Sequence, residues 1–399
     1  MMPQGDETFA RETSRLAGFV TEAGADLGEV LATAARIPDG DDDAWTAQWR
    51  ATAVRTARRG EDSLRVGDVV GAREAFLRAS TYFRAAGTFG GADPGDLESS
   101  SLARCARDYF ARAGGMLDAW FEPVQIPYED GVLPGYLFLV DVGGPPRPTI
   151  VYTNGFGSSS EEGYFVVGAA ALRRGYNFLA YDGPGQGAML GTGSTMRPDW
   201  ENVLGPVVDH LTTIPEVDSA RVVHFGQGLG SYLVARHAVH DDRAAAIVCH
   251  DGITTFYAAQ PHIPEHVLDL VEDGRDDEAI AVLEIVTKGD AHTRWGFRTG
   301  RRTFGVQTSV DCIRATAAYT LTTNEIRAID TPVLILENGD DAAFAGQAAN
   351  FARAMTAPVH HVVTAAAAGA LHEIVFDYLA TEVSPPPCGG GDIVFGSTR

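Results

Sequence analysis

Cysteine is scarce: Cys105, Cys249, Cys312 and Cys388 are the only four in 399 residues, and no two form a C-x-x-C pair. That argues against a disulfide framework or a zinc site and makes reduced thiols the expectation. Basic charge is also short. Against 53 Asp and Glu stand 31 Lys and Arg, a formal net charge of −22. Such an excess repels phosphate backbones and anionic lipid, so neither nucleic acid nor a membrane surface is an expected partner. No stretch approaches the roughly 18 uninterrupted apolar residues needed to cross a bilayer. The opening MMPQGDETFARE lacks a basic region followed by an apolar run, so the expectation is a soluble cytoplasmic protein without a signal peptide. The glycine-rich turn at 226–230 has neither a P-loop Lys-Ser/Thr nor G-x-G-x-x-G spacing, and nothing else calls for a metal, flavin, nicotinamide or phosphate cofactor.

What is present is an ordinary globular balance, 45% hydrophobic and 21% charged, long enough for one large α/β domain with a companion. Residues 6–121 read as successive helices, with Leu16, Phe19, Val20, Leu27, Val30 and Leu31 at helical spacing. The pattern then changes. Val124–Pro127 and Val132–Val140 suggest an antiparallel pair turning over Glu129-Asp130-Gly131. Strands are expected at Thr149–Thr153, Tyr176–Tyr181, Arg221–Phe225, Ala245–His250, Pro332–Leu336 and Pro358–Val363. Helices alternate with them, which implies a mainly parallel sheet covered on both faces. The expected division is a helical cap module over 1–121 and a core over 122–253 and 329–383. A helical insertion over 254–328 would form a lid, and a loose tail would occupy 384–399.

Strand Val222–Phe225 runs into Gly226-Gln227-Gly228-Leu229-Gly230 and then a helix, the strand–turn–helix setting of a nucleophile elbow. Asn154-Gly155-Phe156-Gly157 follows an earlier strand, where the Phe156 N–H can supply half of an oxyanion hole and the Leu229 N–H the other half. Asp182-Gly183-Pro184-Gly185-Gln186-Gly187 follows the next strand. Asn338-Gly339-Asp340-Asp341 comes where a triad acid belongs and His372 where the base belongs, in the chain order of an α/β hydrolase.

These motifs, with Asn154–Phe165, Ser231-Tyr232 after the elbow and the helical N-terminal block, resemble the 2,6-dihydroxypseudooxynicotine hydrolase-like branch of the α/β-hydrolases. That branch includes fungal hydrolases that shorten polyketide pigment precursors. The resemblance covers most of residues 65–380. It implies the α/β-hydrolase fold, a Ser-His-Asp triad cutting carbon–carbon bonds next to a carbonyl, helices closing over the site, and a homodimer as partner state. Two departures stand out. Gly228 occupies the position of the attacking serine, and the G-x-x-D spacing counted from Gly339 reaches Ala342 instead of an acid. Asp341 is then the preferred acid, Asp340 a weaker one, and Asp251 a second place from which a carboxylate can reach His372.

Glycine forms no acyl-enzyme, so ordinary serine hydrolysis is excluded for this chain. An oxyanion hole with a histidine–carboxylate pair still suffices for retro-aldol cleavage, elimination, isomerisation, cyclisation or attack by a water in the vacated space. The leading reading is a non-covalent enzyme acting on a small aromatic or polyketide-like ketone. Two alternatives stay open: a serine hydrolase carrying a substrate-trapping Ser-to-Gly substitution, and a non-catalytic ligand-binding protein. Gly155, Gln227 and His250 are expected to line the pocket. His224 reads as a hydrogen-bonded core residue, Ser231 as pointing away from the site, and Trp200 and Trp295 as packing residues or pocket walls. Successive strand residues His360 and His361 face opposite ways and do not make a metal pair.

Overall fold

Four aspartates open the first helices. The carboxylates of Asp6, Asp26, Asp41 and Asp68 each accept the backbone N–H three residues on, at 2.8 or 2.9 Å, satisfying donors that have no intrahelical acceptor. The computed structural model of the chain describes residues 5–90, 97–257, 263–339, 344–364 and 368–383. The capped helices are α1 (Glu7–Gly18), α2 (Leu27–Ala34), α3 (Asp42–Arg65) and α4 (Val69–Gly87), and α5 (Leu97–Gly114) completes the block.

β1 (Trp120–Tyr128) and β2 (Gly131–Leu139) pair antiparallel, and the turn between them puts Glu129 at φ 46°. β3 (Arg147–Thr153), β4 (Asn177–Tyr181), β5 (Val217–Gln227), β6 (Ala246–His250), β7 (Val333–Asn338) and β8 (Val359–Thr364) run parallel to one another. The sheet order is β1-β2-β4-β3-β5-β6-β7-β8, with β2 antiparallel to β4. The crossovers carry α6 (Ser160–Gly163), a π turn over Tyr164–Gly168, α7 (Ala169–Arg173), α8 (Glu201–Leu211) and α9 (Leu229–Ala238). The insertion after β6 contains α10 (Glu265–Glu272), α11 (Asp276–Gly289), α12 (Ala291–Phe304), α13 (Ser309–Thr316) and α14 (Thr323–Arg327). α15 (Gln347–Ala354), which the sequence reading lacks, and α16 (Ala368–Glu382) complete the chain. α15 buries only Ala348 and Phe351, too short an apolar stripe to register as a period.

Alternate residues of each parallel strand enter opposite cores, as a period of two requires. Ile150, Tyr152, Phe178, Phe225 and Leu334 face one side, with Phe110, Val375 and Leu379. Val151, Leu179, Val222, Ile247 and Ile335 face the other, with Trp200, Leu204 and Leu233. The helical block shares the first of these cores: Phe110 packs tilted on Tyr136 and edge-on to Phe138 of β2, with ring centroids 4.9 and 6.4 Å apart. Block and insertion also meet directly. Arg294 of α12 binds Asp42 at 2.9 and 3.0 Å, and Arg298 reaches the same carboxylate at 3.2 Å.

His224 in β5 corrects one expectation. It is buried beside His237, ring centroids 5.0 Å apart, and among the described residues neither of its ring nitrogens has a hydrogen-bond partner. Burial, with His237 close by, holds its pKa well below the ordinary imidazole value. Both its strand neighbours and α9 present apolar or imidazole groups there, so no acceptor is in reach.

Candidate active site at the β5 elbow

β5 ends in the sharp turn that its glycines permit. A Cβ at Gly226 would sit 2.1 Å from the Gly230 carbonyl oxygen, and one at Gly230 would sit 2.3 Å from that of Thr153. Both must be glycine. Gly155, in the loop after β3, comes so near the elbow that its Cβ would lie 2.6 Å from the Gln227 carbonyl oxygen. The loop carrying Phe156 is thereby pressed against the turn carrying Leu229. Gly228 is different. Its φ of 57° and ψ of −125° favour glycine, yet among the described residues a Cβ there would meet only one atom within 4 Å, Asp251 Oδ2 at 3.9 Å. The place of a nucleophile's side chain is open, and a carboxylate borders it.

Asp251 gets there by strain. β6 ends in two residues of positive φ, Asp251 at 89° and Gly252 at 58°. A non-glycine residue in that region costs about 1–3 kcal/mol and needs its surroundings to hold it. Here the Asp251 N–H donates to Leu336 O at 2.8 Å, and the Gly228 N–H to His250 O at 3.0 Å, tying β6 to β7 and to the elbow. Ring nitrogen Nδ1 of His250 is buried without a partner among the described residues, and its ring stands edge-on to Phe225 at 6.3 Å.

A cavity of about 360 Å³ opens over this turn. Gly155, Phe156, Gln227, Gly228, Leu229, His250 and Asp251 all line it, so seven of the sequence candidates come together. Its aromatic wall is Phe156, which packs on Phe256 at 5.4 Å, Trp295 at 5.6 Å and Phe304 at 6.1 Å. Both helical blocks supply the roof, through Thr8, Arg11, Glu12 and Arg15 of α1 and through His292 and Trp295 of α12. The sequence reading missed the α1 residues. Their signal was the polar face opposite Phe9 and Leu16, an i, i+3, i+4, i+7 stripe that on a surface helix means only solvent.

Arg15 anchors that roof. It pairs with the fully buried Glu162 of α6 and with Glu12 at 3.3 Å. Burial works against the Arg15 charge, but Glu162 and Glu12 outweigh it and its pKa ends above the ordinary guanidinium value. Burial likewise opposes the Glu162 carboxylate, and Arg15 and Arg84 prevail, leaving its pKa lowered. Below it, Ser158 Oγ donates to Glu162 at 2.9 Å, and Tyr152 OH donates to Gln227 Oε1 at 2.6 Å. Asp182 of the Asp-Gly-Pro-Gly-Gln-Gly loop fixes the Phe156 loop from the other side, accepting from Asn154 Nδ2 at 2.9 Å, Ser160 N at 2.8 Å and Ala188 N at 2.9 Å. Burial, reinforced by Glu161, pushes Asp182 up to about 7.

The expected base is elsewhere. His372 in α16 is buried, with Nε2 against Val166 O at 2.8 Å and Nδ1 3.6 Å from Glu22. Glu22 itself is held by Arg173 at 2.6 and 2.7 Å. His372 is not among the cavity's lining residues, and Asp251, which is, does not partner it. The reason is packing: α16 presents His372 to the π turn and the N-terminal block, where a carbonyl and a carboxylate take its two nitrogens. Asp341, with Asp340 and Ala342, lies outside the described residues. Ser231 points away as expected, its Oγ bonded to Gly228 O at 2.7 Å and to Ile253 N at 3.0 Å. Trp200 packs, its Nε1 donating to Tyr181 OH at 2.9 Å, while Trp295 is pocket wall. His361 meets Glu337 at 2.6 Å and His360 faces Tyr378.

Known proteins resemble this chain in sequence and in fold. The profile of a family described as esterase FrsA-like matches residues 37–298. Hydrolase LUC6 of a Fusarium species is 35% identical over 352 residues, covering 85% of this chain and 84% of its own. The 20-hydroxy-prefusarin hydrolase FUS2 of Gibberella moniliformis is 34% identical over 347 residues, covering 84% and 83%. Among solved structures, a 2,6-dihydroxy-pseudo-oxynicotine hydrolase superposes with a TM-score of 0.71 at 18% identity, covering 92% of this chain and 95% of its own. Among the described residues no helix is long and apolar enough to cross a membrane.

Proposed function

Because this chain belongs to the FrsA-like esterase family and is an α/β-hydrolase enzyme, we propose that it hydrolyses a bond next to a carbonyl without a covalent intermediate, with Asp251 as the general base. The observation that carries this reading is the open space at Gly228 with Asp251 Oδ2 on its border. A water in that space stands where a serine hydroxyl would, within reach of a base and beside the Phe156 and Leu229 N–H groups.

The step balances simply. Asp251 takes a proton from the water, and the hydroxide adds to the carbonyl carbon. The developing oxyanion accepts from the N–H groups of Phe156 and Leu229, the latter opening α9 and so lacking an intrahelical acceptor. Collapse of the adduct expels a stabilised carbanion or an alkoxide, which recovers the proton from Asp251. The products are a carboxylic acid and the protonated leaving fragment. His250, edge-on to Phe225, flanks the water position. The helical block 1–121 and the insertion 254–328 act as cap and lid, excluding bulk water so that the N–H dipoles operate at low dielectric. An aromatic substrate, a small polyketide-like ketone, suits a chamber walled by Phe89, Phe156, Phe256, Phe344 and Trp295.

Asp251→Asn keeps the shape and removes the base. The expected loss in kcat is about 10²–10⁴-fold with a small change in KM. Benzoylacetone, an aromatic diketone, serves as probe substrate, with incorporation of heavy-oxygen water into the acid product read by mass. Undiminished, water-incorporating turnover in Asp251→Asn would remove this mechanism.

A further inference from the structure

Behind the aromatic wall lies a second cavity of about 130 Å³, separated from the first by Ser158 and Trp295, which line both. Its walls carry Arg84, Arg107, Arg302, Ser159 and Glu161. Among the described residues its wall carries three guanidinium groups and one carboxylate, in a chain whose net charge is −22. The polar groups there are also incompletely used. Arg84 Nη2 and Ser159 Oγ are buried without a hydrogen-bond partner among the described residues. Arg84 does face Glu162, with Nη1 3.5 Å from Oε2, but Arg15 claims the same carboxylate. The two guanidiniums share Glu162, but Arg15 has Glu12 besides, and Arg84 is held at the longer range. Burial accordingly pulls Arg84 below the ordinary guanidinium value despite Glu162. The neighbouring Glu161 favours the Arg84 charge from a distance, while one of its oxygens accepts from Tyr136 OH at 2.7 Å.

We propose that this cavity is an anion subsite that takes a carboxylate carried by the substrate, at the end remote from the reacting carbonyl. A carboxylate accepts from Arg84 Nη2 and Ser159 Oγ together, with Arg107 and Arg302 on the same wall. A neutral group of the same shape gives up the charge-assisted share of those bonds. The volume corresponds to about four waters at roughly 30 Å³ each, enough for a small planar acid and too little for a nucleotide or a sugar phosphate. The common wall places the subsite next to the loop that holds Phe156, so one elongated molecule spans both cavities once Trp295 shifts its ring. As a statement about substrate class this rests on the elbow being the reaction site. As a binding site it does not, and the test reads binding.

The full chain is titrated with benzoate and with benzamide, following tryptophan fluorescence, with Trp295→Phe to identify the reporting residue. Benzoate is expected to bind saturably and benzamide about tenfold or more weakly, the scale of a charge-assisted pair. Arg84→Gln should abolish benzoate binding. Because that change also disturbs Glu162, Arg107→Gln is the second variant, expected to weaken benzoate about tenfold with its melting temperature unchanged. Asp251→Asn should bind benzoate as the parent does, whatever it does to turnover. Equal affinity for benzoate and benzamide would overturn the subsite. So would benzoate binding that responds to Asp251→Asn but not to Arg107→Gln, since the acid would then be at the elbow. If Asp251→Asn keeps full turnover while benzoate still depends on Arg107, the proposed mechanism fails and the subsite stands.

Discussion

Putting a serine at Gly228 tests the site most directly, because the two effects it has can be worked separately. The backbone there has φ 57° and ψ −125°, and an L-residue in such a conformation costs about 1–3 kcal/mol, less roughly 0.4–1 kcal/mol recovered from a stiffer unfolded chain. Sterics add nothing, since among the described residues the nearest atom to the new Cβ is Asp251 Oδ2 at 3.9 Å. Gly228→Ser should therefore fold and be destabilised by about 1–2 kcal/mol. Its Oγ, one bond beyond Cβ, comes into hydrogen-bond range of Asp251 and displaces the proposed water. His372 does not complete the usual triad, because it is bonded to Val166 O and faces Glu22, and Nδ1 of His250 at the cavity has no partner among the described residues to orient its ring. A serine beside a carboxylate, with no oriented imidazole, lacks the base that makes it a strong nucleophile. Native-type cleavage should fall at least tenfold, and ester hydrolysis should rise far less than the about 10⁶-fold by which a complete triad serine matters. The assay is single-turnover kinetics of both proteins on benzoylacetone and on p-nitrophenyl acetate, with intact-protein mass to detect an acyl adduct. A burst, an acyl-enzyme and a gain of several orders of magnitude would refute the reasoning. They would show that an imidazole at the elbow, His250 included, serves as the base and that the site supports serine-type hydrolysis once a serine is present.

Three further outcomes follow from buried groups. His372→Ala removes the hydrogen bond to Val166 O and the contact with Glu22, so it should lower stability by about 1–3 kcal/mol while kcat stays within about threefold. A thousandfold loss of kcat in a protein of unchanged melting temperature would restore His372 to the chemistry. Glu162→Gln leaves Arg15 and Arg84 without their shared carboxylate, which should cost about 3–5 kcal/mol and loosen α1, seen as faster proteolysis near residue 15; parent-like resistance would count against the anchor. His224 and His237 are buried with pKa values depressed by burial, His237 to about 4. The unfolded chain binds their protons near pH 6.5 and the folded one does not, so stability falls as pH drops from about 6.5 towards 4. Replacing both with phenylalanine should flatten urea midpoints between pH 7 and 5, and an unchanged slope would show that these rings are not responsible.

Much of the architecture was legible along the chain because its signals are local. Short continuous apolar runs such as Ile150–Tyr152 and Val222–Phe225 mark strands buried on both faces, and the glycines at 226 and 230 announce a turn whose backbones nearly touch. The chain order of elbow, oxyanion loop and later acidic loop named the α/β-hydrolase class, and the same residues placed Phe156, Leu229, Gln227, His250 and Asp251 around one cavity. Side-chain direction at long range was not legible. His372 occupies the position along the chain that a triad base would, but the orientation of α16 against the π turn decides where its ring goes, and that orientation depends on helices more than 200 residues away.

Sequence by itself determined that the central residue of the elbow carries no nucleophile, since no fold adds an atom to glycine. It also determined the sheet and its crossovers, which follow from apolar periodicity and turn chemistry. Only the tertiary structure decided what borders the vacant position. Asp251 is an ordinary residue after a strand until its positive φ, held by β7 and the elbow, swings its carboxylate to the border of the empty position. The polar stripe of α1 is an ordinary solvent face until Arg15 seats on the buried Glu162 and turns Arg11 and Glu12 into a roof. Both depend on contacts between elements far apart in the chain, whose geometry is set by packing and is carried by no local pattern of residues.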